Sequence, residues 1–82
     1  EIFVYAAHMT ALAADLGPGV TAALCVTSED GVDRLTLDLC GPSCPEDRVR
    51  EAFRRITRLR PDHVRWHDRL PRTTLLEDAR EF

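Results

Sequence analysis

Met9, Leu12, Ala13 and Leu16 recur at intervals of three, four and seven, which predicts an amphipathic helix over residues 6–16. Gly17-Pro18-Gly19 follows as a stop signal, with Gly17 at the C-cap position. Val20 to Thr27 is a mildly apolar run of small and β-branched residues, suited to a strand covered on both faces. Arg34 to Cys40 alternates instead, with Leu35, Leu37 and Leu39 inward and Thr36 and Asp38 outward. Between these runs lies Ser28-Glu29-Asp30-Gly31-Val32-Asp33, whose Asp-Gly pair signals a hairpin.

Val49, Ala52, Phe53, Ile56 and Leu59 form a second helical stripe over roughly Pro45 to Leu59, with Ser43 and Glu46 at capping-box spacing. Arg60-Pro61-Asp62 turns the chain into His63-Val64-Arg65-Trp66-His67. There Val64 and Trp66 face inward, Trp66 as a core anchor, and His63, Arg65 and His67 face outward. Pro71 ends that strand. Thr74 and Glu77 again have capping-box spacing, which predicts a short C-terminal helix after the turn Arg72-Thr73-Thr74. With a short β-prone segment at Ile2–Tyr5, the order is β-α-β-β-α-β plus a helical tail. The expected fold is therefore α+β: a ferredoxin-like antiparallel sheet with both helices on one face, forming a single domain over 1–82.

Composition removes several function classes. The 82 residues are 44% hydrophobic and 30% charged, as in an ordinary globular domain. A net charge of −3 argues against nucleic acid as the main partner. No apolar run approaches the roughly 18–20 residues of a membrane span, and the start has no basic segment of a signal peptide. Without an initiator Met, the sequence reads as a fragment, an excised domain or a chain lacking its first residues. Three cysteines in no framework spacing read as reduced thiols of a cytoplasmic protein. Cys40 and Cys44 match no standard zinc spacing. His8, His63 and His67 read as surface residues, since no carboxylate or thiol stands at a matched spacing. The sequence holds no Ser/His/Asp set and no Gly-rich phosphate loop, so it offers no active site of its own and no metal site.

The stretch Leu70-Pro71-Arg72-Thr73, after a strand and before a charged tail, resembles the end of the small C-terminal domain of phenylacetate-CoA ligase-like enzymes. These belong to the adenylate-forming acyl/aryl-CoA ligase superfamily. Phe3-Val4 and Met9 also fit that family's pattern, whereas Ala6 and Thr10 replace its Pro and Glu. The resemblance covers nearly the whole chain. It implies a mobile lid on an N-terminal adenylation domain, present in cis or in trans, and an enzyme joining an aromatic or other carboxylic acid to CoA or a carrier thiol. ATP, magnesium and CoA would serve that parent enzyme and would not be bound by this domain alone.

In the family, a Lys shortly after Leu-Pro-Arg-Thr stabilises charge during adenylation; its position here is Leu76, and all eleven basic residues of the chain are Arg. The lid is therefore expected to be degenerate for adenylation, while thioester formation could survive. Arg72, Thr73 and Arg80 are the candidate phosphate or CoA contacts, and the arginines of the second helix a further anion-binding face. The competing reading is a non-catalytic ferredoxin-like module that binds a small ligand or forms a homodimer through a sheet edge.

Overall fold

The computed structural model describes Val4 and residues 6–71 and 75–78. Its elements are α1 (Ala6–Leu16), β1 (Thr21–Glu29), β2 (Val32–Cys40), α2 (Glu46–Thr57), β3 (His63–His67) and β4 (Leu76–Asp78). One four-stranded sheet runs in the order β3-β2-β1-β4.

The hairpin is the fold's centre. Asp30 and Gly31 both take positive φ, 51° and 77°, the combination a tight two-residue turn needs to match strand twist. From Glu29 opposite Val32, the register places Val26 beside Leu35, Leu24 beside Leu37 and Ala22 beside Leu39. Those six side chains are all buried and share one face. Against them α1 sets Met9, Leu12 and Leu16, and α2 sets Val49, Ala52 and Phe53. Fully burying a side chain of Leu, Met or Phe size stabilises by about 1.5–3 kcal/mol, so this layer supplies most of the driving force. Val64 and Trp66 pack at its margin, half-buried, so Trp66 borders the core and does not sit at its centre.

The sheet is mixed, which corrects the expected antiparallel one. β1 and β2 are antiparallel, but β3 lies parallel to β2 and β4 parallel to β1. The reason is the path of α2. It carries the chain back along the sheet, so β3 starts level with Thr36 and runs in the direction of β2. Asp62 fixes that start: its N–H donates to Leu35 O at 2.8 Å, and its Oδ2 accepts from Leu35 N at 2.7 Å.

The C-terminal helix is corrected as well. Leu76–Asp78 is a strand beside Leu24–Val26, and Leu24 N donates to Leu75 O at 2.8 Å. An open strand edge and an apolar face for Leu75 and Leu76 outweigh local helix spacing. The Ser43–Glu46 box does not form either. Pro45 is the N-cap without a side-chain cap, and its carbonyl accepts from Arg48 N and Val49 N. The expected strand at Ile2–Tyr5 lies outside the described residues except for Val4, which is buried but in no strand. The α1–β1 and β2–α2 loops touch at Gly19 and Gly41. A Cβ on Gly41, whose φ is 118°, would run into the Gly19 carbonyl.

Two polar ties join the helices: Arg48 Nη2 donates to Asp15 O at 2.8 Å, and Arg55 pairs with Asp15 Oδ1 at 2.6 Å. α2 stops at Arg58, a non-Gly residue in the left-handed region (φ 65°) whose N–H donates to Arg54 O. That conformation costs an L-residue about 1–2 kcal/mol, and glycine's extra unfolded-state freedom cancels part of the gain on replacement. Arg58→Gly is therefore expected to raise stability by about 0.5 kcal/mol, read as a shift of about 2–4 °C in thermal midpoint.

Candidate functional site

The resemblance noted above implies that Leu76 falls where those ligases carry their adenylation Lys. The register pairs it with Leu24, and its half-buried side chain packs on the core cluster. The side chain here is a packing element: it has no charge to offer and points where a charge would be costly. Arg72, Thr73 and Arg80, the candidate phosphate or CoA contacts, lie outside the described residues.

On the sheet face away from the helices, the structure brings together a pair the sequence did not suggest. His67 Nε2 and Asp38 Oδ1 are 2.7 Å apart, joining residues 29 positions distant. Asp38, expected to point into solvent, is only 2% exposed, while His67 is half-buried. Cys40 is the register partner of His67, but its Sγ donates to Asp68 O at 3.2 Å. The thiol is thus engaged with a carbonyl and does not stand in hydrogen-bond relation to the imidazole. Cys25 Sγ donates to Glu77 Oε2 at 3.6 Å across the β1–β4 pair. The three cysteines form no disulfide. Among the described residues no group of three His, Cys, Asp or Glu converges as a metal site requires. This face therefore offers an imidazole–carboxylate bond that ties β3 to β2, and among the described residues no nucleophile is aligned to it.

The third arrangement is the solvent side of α2. Residues 46–60 carry six arginines against three carboxylates, a local charge of +3 in a chain of −3. Along the helix, Arg50 pairs with Glu46 Oε2 at 3.0 Å, one turn back. Arg50 also donates to Pro61 O at 2.9 Å, and Arg48 and Arg55 are committed to Asp15. The side chains of Arg54, Arg58 and Arg60 are exposed and make no ion pair or hydrogen bond among the described residues. Two shallow clefts flank Arg54. One, of about 320 Å³, is bounded by Glu51, Arg55 and Arg58; the other, of about 190 Å³, by Arg50, Glu51, Arg60 and Pro61.

Set against known proteins, the chain matches no family model and no curated sequence. No helix among the described residues is long and apolar enough to cross a membrane.

Removing His67 would leave the buried Asp38 carboxylate without its imidazole partner. His67→Ala is expected to cost about 2 kcal/mol in denaturant unfolding, well above the roughly 0.5 kcal/mol typical of surface changes. A double-mutant cycle with Asp38→Asn should return a coupling of about 1 kcal/mol or more.

Proposed function

We propose that this chain is a lid-type domain of the adenylate-forming acyl/aryl-CoA ligase kind, degenerate for adenylation and contributing cover and contact to a larger ATP-binding unit. The observation that carries the proposal is the seat of Leu76. At the place of the resembled family's catalytic cation stands an aliphatic side chain paired with Leu24 and packed on the core. Support for the relationship itself comes from the sequence around Leu70-Pro71-Arg72-Thr73 and from the element order. Residues 6–67 run α-β-β-α-β, the ferredoxin-like order without its first strand, although the sheet pairing does not follow that plan.

On this reading ATP, magnesium and the carboxylate belong to the adenylation domain, in cis or in trans. The described residues of the lid hold no group that would stabilise charge at an α-phosphate from the Leu76 position. What remains open to the domain is the second half-reaction, thioester formation from an acyl-adenylate, which does not use that lysine. Arg72, Thr73 and Arg80 keep the proposed role of phosphate or CoA contacts.

The test is the intact mass of the polypeptide as its source cells make it, followed by ATP–pyrophosphate exchange over aromatic and aliphatic carboxylates. A mass several times 9.3 kDa is expected, with exchange weak or lost while preformed acyl-adenylate still yields thioester. A native polypeptide near 9.3 kDa with no adenylating partner, or rapid exchange that depends on this domain, overturns the proposal. Leu76→Lys is expected to lower stability by about 1–2 kcal/mol without restoring exchange, because the new ammonium must leave the core margin to be hydrated.

A further inference from the structure

The solvent side of α2 carries its charges in a fixed order. The buried side of the helix sets Val49, Ala52 and Phe53 against the sheet. Opposite them stand Asp47, Glu51, Arg54 and Arg58, all exposed and spaced by four, three and four residues. That is heptad spacing, so they line one seam about 17 Å long. Glu51, Arg54 and Arg58 also border one cleft, which keeps Arg58 on the seam although the helix ends there.

Within the chain this seam has no compensation. Asp47 with Glu51 and Arg54 with Arg58 are like-charge pairs one turn apart, and each weakens a helix. The opposite charges beside them are engaged elsewhere: Arg50 with Glu46 and Pro61 O, Arg48 and Arg55 with Asp15. The four seam side chains make no ion pair or hydrogen bond among the described residues. The helix dipole accounts for acid first and base last. It does not account for an Arg at position 58, whose left-handed backbone (φ 65°) suits glycine better.

We propose that two copies of this chain pair through this seam, their α2 helices antiparallel about a two-fold axis level with the Ala52–Phe53 peptide. Asp47 then faces Arg58 of the second copy, and Glu51 faces Arg54 of the second copy. The two-fold makes every contact twice and closes the assembly. Parallel helices in register would oppose like charges throughout. A slip of one heptad either way would set Asp47 against Glu51 or Arg54 against Arg58, so the signs select one register. A purely anionic or purely cationic partner fits less well, since either would meet two like charges on the seam. The arginine stems supply the apolar cover. A patch of this kind falls below the roughly 1,200 Å² of stable interfaces, so the dimer is transient, with a dissociation constant of about 0.1–1 mM at low salt. The contact uses neither Leu76 nor the chain after Arg60, so it stands or falls separately from the ligase relationship.

Sedimentation equilibrium and dilution of the isotope-labelled 82-residue chain, in about 50 and about 500 mM NaCl, test this. A reversible dimer at low salt is expected, weakened about ten-fold or more at high salt, with amide shifts that move on dilution along α2 and not along β3. Glu51→Arg and Arg54→Glu, each checked for folding by circular dichroism, oppose like charges at the centre and should each be monomeric. Mixed in equal amounts they should pair, because both central contacts then regain opposite signs. Arg58→Gly, expected above to stabilise the fold, should nevertheless weaken the dimer several-fold. A chain still monomeric at about 2 mM, a dimer indifferent to these substitutions, dilution shifts centred on β3, or a mixture that stays monomeric overturns the proposal. So does a wild-type chain that binds a poly-glutamate peptide through Arg54 and Arg58 but not a second copy.

Discussion

Everything in this fold depends on the register of one hairpin. Slipping β1 against β2 by a single residue would send Ala22, Leu24 and Val26 to the face now holding Cys25, and the core would lose half of its sheet contribution. The Asp30-Gly31 turn removes that freedom, since two successive residues at positive φ fix both the loop length and the pairing that follows. Once the Leu24–Leu37 pair is set, the helices have one surface on which to bury their stripes. Met9 and Phe53 are fully enclosed as a result.

The hairpin and both helices were legible in the sequence because local signals there agree with one another. Alternation at Leu35, Leu37 and Leu39, a turn dipeptide, and a 3.6-residue stripe ended by glycine each point to the same element. Strand pairing was not legible. An inward–outward pattern tells which face of β3 is buried but not which neighbour it lies beside, and the turn at Asp62 decides that through two bonds to Leu35. The tail was misread for a related reason. Thr74, Leu75, Leu76 and Glu77 satisfy a helix start as well as an edge strand, and only the waiting edge of β1 separates the two.

The same division runs through the candidate sites. The charge bias of α2 can be counted from the sequence, yet which arginines are spent internally cannot. Asp15 takes up Arg48 and Arg55 from another helix, and Pro61 takes up Arg50 from a turn. The Asp38–His67 bond was invisible for want of any local spacing, since its partners meet only because β2 and β3 run side by side. That position 76 is aliphatic was plain in the sequence; that its side chain packs on the core came only from the register.

β4 has a consequence out of proportion to its three residues. It lies along Leu24–Val26, an apolar stretch of β1 where every side chain is buried. Stripped of that cover, the stretch would present unpaired amides on an edge rich in β-formers, the template on which chains recruit one another into aggregates. The Leu76 segment thus also works as a guard rail: it keeps a self-adhesive edge out of circulation.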